Sequence, residues 1–492
     1  MTPLPELLTR VHAAERGPEV IAAFDYDGTL ISGYSATAFY EHRIKHGQMG
    51  PLDLAQTLLR ARRGIEDDEA FVTFLNRSLA AWKDLPVEDL EKLGRRLLRE
   101  QIASRLRRET WRLLEAHRQM DHRLVLASSG LRFQTRPMAE ELDIPHVLNT
   151  ELEVVDGRLT GATAGPPLWG RQKAEALRRL AADEDADLER SFAYSNGRED
   201  IPFLEAVGRP VAVAPDADLR AEAGRRGWPV LECSDPAGSP GPLDVVRTAA
   251  FYGSFLSGVG AAVGLGVLHG SRRRAVDLAM NLGSEASLAV AGIEVDVIEG
   301  HEHLWSSRPC VFVFNHTSKM DAIVLMKLLR EEVTGVAKAE VKRVPIFGVL
   351  FQLAGLAFID RADNAQAREA LAPVVEKLRS GTSLVVAPEG TRQPTPRMGP
   401  FKKGPFHIAM QAGVPVVPIV LRGVDQVQWR GSQAVRPGRV EVRVLPPMDT
   451  TDWRPETVDE HRDEVRSAMV EALDRWPGEP TAPAREPVSR AG

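Results

Sequence analysis

Val20-Ile21-Ala22-Ala23-Phe24-Asp25-Tyr26-Asp27-Gly28-Thr29 decides how the first half of this chain is built. The apolar run reads as a buried strand, and it leads directly into two acids and a glycine turn. In open α/β sheets ligands bind outside the carboxyl ends of the strands, so Asp25 and Asp27 stand at a binding edge. Residues i and i+2 of extended chain share a face, and a turn at Gly28 brings both acids toward one cavity. One carboxylate can attack phosphorus and form an aspartyl-phosphate. The other can give a proton to the leaving oxygen and later take one from water. Two acids this close need a cation, and Mg2+ is the usual partner of carboxylate and phosphate oxygens.

Working outward, Leu124–Ala127, Phe192–Tyr194 and Val211–Ala214 read as further short strands separated by helical stretches. Such alternation predicts a parallel sheet covered by helices. Between the first two strands, 32–122 spans roughly a hundred residues, too many for an ordinary connection. Leu54, Leu58 and Leu59, then Phe71, Phe74 and Leu75, recur at helical spacing, so the block is expected to be an inserted helical cap.

Asp-x-Asp-Gly-Thr after a strand, a cap, then Ser128, Lys173 and Asp200 in order resembles the haloacid dehalogenase superfamily, in its phosphoserine-phosphatase-like branch. The resemblance runs from about Val20 to Leu231 and implies a Rossmann-like fold. It implies Asp25 as nucleophile and Asp27 as general acid/base. Ser128, with Ser129 as the alternative register, and Lys173 would bind the phosphoryl group. Asp25, Asp27, Asn196 and Asp200 would hold Mg2+. The last motif departs from the family pattern, because Asn196 stands where the first of two acids is usual. An Asn carbonyl can ligate Mg2+ but removes one negative charge, which leaves open a non-catalytic, regulatory first half.

The second half has its own signature. Val311–Phe314 reads as a buried strand followed by Asn315-His316-Thr317-Ser318-Lys319-Met320-Asp321. On one continuous helix His316 and Asp321 would lie about 140° apart, so they meet only if His316 sits in the turn before the helix. A carboxylate there would fix the imidazole tautomer, the logic of a Ser-His-Asp triad without its serine. The attacking hydroxyl would then be the substrate's, deprotonated by His316. Leu384–Ala387 leads into Pro388-Glu389-Gly390-Thr391-Arg392, and an arginine fork suits a phosphate. Val416–Val420 and the alternating Val440–Leu445 read as further strands. Val344–Leu353 is apolar nearly all round and reads either as a core helix or as an acyl-chain path.

Four blocks carry a second resemblance: Asn315 to Asp321, Gly355 to Arg361, Pro388 to Arg392, and Val414-Pro415-Val416-Val417-Pro418-Ile419. In this order they are similar to the glycerolipid acyltransferases, whose best-known members acylate lysophosphatidic acid. The likeness implies His316 as base and Asp321 as its orienter. Arg361, Glu389, Gly390, Thr391 and Arg392 would bind the glycerol-phosphate end. The acyl donor would be acyl-CoA or an acyl-carrier protein, the product phosphatidic acid, and the partner surface a membrane.

Composition agrees with two globular halves: 43% hydrophobic and 26% charged residues allow a core in each. Net charge is −6, with no basic tract, so no nucleic-acid partner is expected. Cys233 and Cys310 are far apart, so neither a disulfide framework nor a cysteine metal site is expected. The mixed, charged Met1 to Pro18 does not read as a secretory signal. Thr248 to Ser271 holds no Asp, Glu, Lys or Arg and ends at Arg272-Arg273-Arg274. A span of about 20 apolar residues can cross a bilayer. The many glycines, including the Gly260 and Gly264 pair, argue instead for tight helix contact and a helix lying in one leaflet on the cytoplasmic face. The expected organisation is a hydrolase domain over 1–233, a linker over 234–246 and a membrane-associating helix over 247–274. An α/β acyltransferase domain over 275–476 and a disordered tail over 477–492 would follow.

Overall fold

Strand β1 (Ile21–Asp25) is buried at every position, as a central strand covered on both faces must be. The computed structural model describes residues 1–47, 50, 72–73, 75–76, 79, 82–234, 240–338, 342, 352, 355–359, 364–430 and 432–480. The chain divides into two compact units, Met1–Gly238 with Pro477–Gly492, and Ser239–Trp476.

In the first unit β1 pairs in parallel with β2 (Arg123–Leu131), which pairs in parallel with β3 (His146–Thr150). An antiparallel hairpin of β4 (Leu152–Val155) and β5 (Arg158–Thr163) stands apart from this sheet. On the other side of β1 follow β6 (Phe192–Ser195), β7 (Arg209–Val213) and β8 (Val230–Leu231), all parallel. The order β3-β2-β1-β6-β7-β8 reverses direction at β1, a topological switch point. The sheet expected from alternation is therefore present, and β3, β8 and the hairpin add strands too short or too polar to announce themselves.

The expected cap over 32–122 ends too late. Helix Arg108–Gln119 buries Trp111, Leu113, Leu114 and His117 and packs on β2 and on helix Leu4–His12, so it belongs to the layer covering the sheet. Helices Ala36–Lys45 and Val87–Leu97 precede it. Of the periodic cap positions, Leu75 is buried, while Leu54, Leu58, Leu59, Phe71 and Phe74 lie outside the described residues. The start of the expected disordered tail is engaged, because Glu479 pairs with Arg112; 481–492 lie outside the described residues.

Beneath the sheet His117 joins a buried chain of hydrogen bonds. The His122 Nε2 atom lies 2.8 Å from the Glu15 carbonyl and can only donate to it. Its Nδ1 therefore accepts from His117 Nδ1 at 2.7 Å, and His117 Nε2 accepts from the Tyr194 hydroxyl at 2.7 Å. Every member is neutral in this arrangement. Burial, reinforced by His122, His12 and Arg209, pushes His117 well below the ordinary histidine value.

The second unit holds β9 (Ile293–Glu299), β10 (Val311–Phe314), β11 (Val333–Lys338), β12 (Ala357–Ile359), β13 (Ser383–Val386), β14 (Val416–Arg422) and β15 (Gly438–Val444). Their order is β12-β11-β13-β10-β14-β15-β9, with β10 buried and flanked in parallel by β13 and β14. Among the described strands of this unit, only the β14–β15 pair is antiparallel.

The expected single helix over 247–274 is instead two. Helix Pro242–His269 starts inside the expected linker, and helix Arg272–Ala291 packs along it. Gly270 (φ +65°) takes a left-handed turn between them, and the Ser271 hydroxyl caps the second helix by accepting from Arg274 N. The arginine triplet thus opens the second helix rather than closing the first. The glycine contact is also elsewhere. A Cβ on Gly258 would meet Gly283 N at 2.8 Å, whereas Gly260 and Gly264 have nothing within 4 Å. No described helix is long and apolar enough to cross a membrane.

Gly258→Leu should therefore separate the two helices and cost about 1–3 kcal/mol in a denaturant titration, while Gly260→Ala should stabilise or leave stability unchanged. The histidine chain makes a second expectation. Because His117 is held neutral in the fold, its contribution is complete above the unfolded value of about 6.5 and is lost as pH falls below it. Thermal unfolding of His117→Gln should show a shallower loss of stability between about pH 7 and 5 than the parent protein, by up to about 1.4 kcal/mol per pH unit.

Candidate active sites

Asp25 is the last residue of β1 and is 7% exposed. Gly28, at φ +87°, turns the chain so that Thr29 Oγ1 donates back to Asp25 Oδ2 at 2.8 Å. Lys173, at the start of helix Arg171–Asp183, reaches Asp25 Oδ1 at 2.7 Å and Asp200 Oδ2 at 2.6 Å. Burial alone would strip the proton from this lysine. The carboxylates of Asp200 and Asp25 outweigh burial and hold it above the ordinary lysine range. Ser195 Oγ also donates to Asp200 Oδ2, at 2.6 Å. Ser128, within β2, is buried and accepts the Gly130 amide at 3.0 Å.

Asp27 turns its carboxylate to Ser35, accepting from the amide at 2.6 Å and the hydroxyl at 3.1 Å. Burial, opposed by these bonds and reinforced by Asp25, pushes its carboxyl up to about 7. A carboxyl that keeps its proton near neutrality is suited to giving it away. Sequence reasoning passed over Glu199, which burial and Asp200 also push up to about 7. Its carboxylate folds back over Gly197, where a Cβ would meet it at 2.3 Å. An extra acid between Asn196 and Asp200 was the available signal.

The expected Mg2+ ligands are only partly free for a metal. Asp200 accepts from Lys173 and Ser195, and the Asp27 carboxylate from Ser35. Among the described residues no group of three or more His, Cys, Asp or Glu side chains converges on one point. What remains is Asp25 Oδ2, the main-chain carbonyl of Asp27 and the Asn196 amide, whose inner atom lies 3.2 and 3.1 Å from those two oxygens. Adjacent ligands of an octahedral Mg2+ at 2.0–2.1 Å stand about 2.9 Å apart, so this trio fits the ion when the amide oxygen is the inner atom.

In the second unit the strand end is clamped before the chemistry begins. The Asn315 amide, just past β10, donates to the Leu421 carbonyl at 2.9 Å and accepts its N–H at 2.7 Å. His316 then lies in the turn before helix Met320–Leu329, as the spacing required. Its Nδ1 is 2.7 Å from Asp321 Oδ2, which also accepts the amides of Thr317 at 2.9 Å and Ser318 at 3.0 Å. Asp321 is fully buried and the imidazole is about a quarter exposed. With Nδ1 donating to a carboxylate, the proton-free Nε2 is the atom left to act as base.

Glu389, expected to bind substrate, is also held by the main chain. Its Oε1 accepts the His316 amide at 2.8 Å and its Oε2 the Gly399 amide at 2.9 Å, so it ties two loops together. Burial raises its carboxyl above the ordinary range, offset by those two donors. Gly390 (φ +76°) turns the chain, Thr391 is exposed, and Arg392 is half-buried with its carbonyl accepting Arg430. Lys319 was missed by sequence reasoning: burial, then the charge of Arg392, lowers its pKa. Cations that crowd each other in this way favour an anion between them. Arg361 lies outside the described residues, as do 344–351 and 353 of the apolar Val344–Leu353 run.

Comparison with known proteins gives two family matches, haloacid dehalogenase-like hydrolase over residues 22–205 and acyltransferase over residues 296–422. A 1-acyl-sn-glycerol-3-phosphate acyltransferase of Limnanthes alba is 37% identical over 186 residues, 37% of this chain and 64% of the plant protein. The chain thus spans less than two thirds of the length of that relative. An uncharacterised protein of Mycobacterium tuberculosis is 30% identical over 259 residues, 51% of this chain and 89% of its own length. A solved 1-acyl-sn-glycerophosphate acyltransferase from Thermotoga maritima is 26% identical, covering 48% of this chain and 98% of its own, with a TM-score of 0.41.

Proposed function

Since the chain belongs to the haloacid dehalogenase-like hydrolases through its first half and to the acyltransferases through its second, we propose that it is a bifunctional enzyme of phosphorylated lipids. Its second unit transfers a fatty acyl group from acyl-CoA or acyl-carrier protein to 1-acyl-sn-glycerol-3-phosphate, giving phosphatidic acid. The single observation that carries this reading is the 2.7 Å contact between His316 Nδ1 and Asp321. His316 Nε2 takes the proton of the acceptor hydroxyl as its oxygen attacks the thioester carbonyl. The buried Asp321 carboxylate stabilises the imidazolium formed. The carbon–sulfur bond breaks, and the thiolate takes the proton back from the imidazolium. Glu389 and Asn315 keep the histidine loop in register with β13 and β14, while Lys319 and Arg392 meet the phosphate.

The first unit is read as a phosphohydrolase. Asp25 attacks phosphorus while Asp27 protonates the leaving oxygen, and Ser128 and Lys173 hold the phosphoryl oxygens. Mg2+, held by Asp25, the Asp27 carbonyl and Asn196, would offset phosphoryl charge there. The substitution of Asn for Asp at 196 is the one observation favouring the alternative, a regulatory first unit that binds without turnover.

Membrane association is part of the proposal, because the substrate is a lipid. Leu243, Val246, Leu256, Leu265, Leu282 and Val290 are exposed on the two paired helices. Exposed apolar residues of this kind suit contact with one leaflet, on the cytoplasmic side where the thioester donors are found.

The test is incubation of purified protein with labelled acyl-CoA and a panel of lysolipids, with products resolved by mass. His316→Ala should lower phosphatidic acid formation by about 10^2 to 10^4-fold and leave aryl-phosphate hydrolysis untouched. Asp321→Asn should fall in the same range, because an amide donor forces the wrong imidazole tautomer. Asp25→Asn should remove the hydrolysis alone. Loss of both activities from either single change would overturn the two-site reading.

A further inference from the structure

The Asn196 amide sits in a cradle that leaves its orientation to chemistry rather than shape. A Cβ on Gly28 would lie 2.3 Å from its Nδ2 and 2.8 Å from its Oδ1, so the backbone of the Gly28 turn packs directly on the amide plane. Turning that plane over exchanges an NH2 for an oxygen of nearly the same size and disturbs no packing. The two orientations differ in their bonding. With nitrogen innermost, the amide donates to the Asp27 carbonyl at 3.1 Å and to Asp25 Oδ2 at 3.2 Å, and lies 3.0 Å from Thr29 Oγ1. The Thr29 hydroxyl can then donate to Asp25 Oδ2 at 2.8 Å. With oxygen innermost, the amide can accept only from the Thr29 hydroxyl, at 3.0 Å, and faces the Asp27 carbonyl and Asp25 Oδ2 with no hydrogen between them, two contacts that a cation would satisfy.

We infer that Asn196 is a built-in substitute for the cation: its NH2 closes the Asp25 site by hydrogen bonds when no metal is bound, and its amide turns over to admit one. Lys173 completes the substitution from the other side, at 2.7 Å from Asp25 Oδ1. Both oxygens of the Asp25 carboxylate are thereby satisfied without an ion. An aspartate at 196 would instead oppose Asp25 with a second negative charge, which is costly in a buried site until a cation arrives. Metal binding to this chain must break two hydrogen bonds and gains one fewer ligand charge, so the site's resting form is metal-free.

This inference rests on reading the Asp25 cluster as a phosphoryl site, but its test is separate: aryl-phosphate turnover examines that reading, and cation binding without substrate examines this one. Mg2+ and Mn2+ are titrated calorimetrically into metal-free full-length protein, with Asp25→Ala as the control for binding elsewhere. Asn196→Asp should bind either ion at least about tenfold more tightly than the parent, since ligand charge sets affinity over decades. Thermal unfolding gives a second readout. The parent should melt at the same temperature in EDTA and in Mg2+, whereas Asn196→Asp should melt lower in EDTA and recover with Mg2+. Equal affinities, or a parent protein that loses stability in EDTA, would overturn the inference. If Asn196→Asp does not fold, the parent decides alone: stoichiometric binding at the protein concentration used, absent in Asp25→Ala, refutes a metal-free resting site.

Discussion

In each unit a central strand is buried on both faces and flanked by parallel neighbours, so polar chemistry can stand only where that strand ends. β1 stops at Asp25 and β10 at Phe314, one residue before the Asn315-His316 pair. Everything reactive follows from that edge. The strand cannot move without dismantling the sheet, so whatever its last residues carry is held as rigidly as the core itself.

Buried charge then dictates how each edge is furnished. An ionised carboxylate out of water needs donors, and each candidate site supplies them differently. Asp321 takes an imidazole and two backbone amides on Oδ2, which orients the ring, and leaves its buried Oδ1 without a hydrogen-bond partner. Asp25 takes an ammonium on one oxygen and a hydroxyl on the other. Glu389 takes two backbone amides and ties two loops together. Each buried carboxylate is thus set in a different environment by the donors that surround it.

The two paired helices show a comparable division. Their glycines are dense enough to predict close contact, yet contact falls at Gly258 and Gly283, away from Gly260 and Gly264. Composition announces that a tight crossing exists. The crossing point depends on which faces meet, and that is set where Gly270 turns the chain and Ser271 restarts it.

Much of this was legible in the residues alone. Short-range spacing is enough to mark a strand, the acid or imidazole past its end, and the turn that His316 needs to reach Asp321. Those features depend on neighbours a few residues apart, and so the sequence determined both α/β units and the candidate residues Asp25, Lys173, His316 and Asp321. It did not determine β3, β9 or β11, which are placed by their pairing with β2, with β15, and with β12 and β13. Nor did it determine that helix Arg108–Gln119 covers the sheet, that Asp27 and Asp200 are held by Ser35 and Lys173, or that Glu389 ties His316 to Gly399. Only the tertiary structure decided these, because a carboxylate's surroundings are fixed by the donors that folding brings to it, from 148 residues away for Lys173 at Asp25 and from one turn away for Thr29.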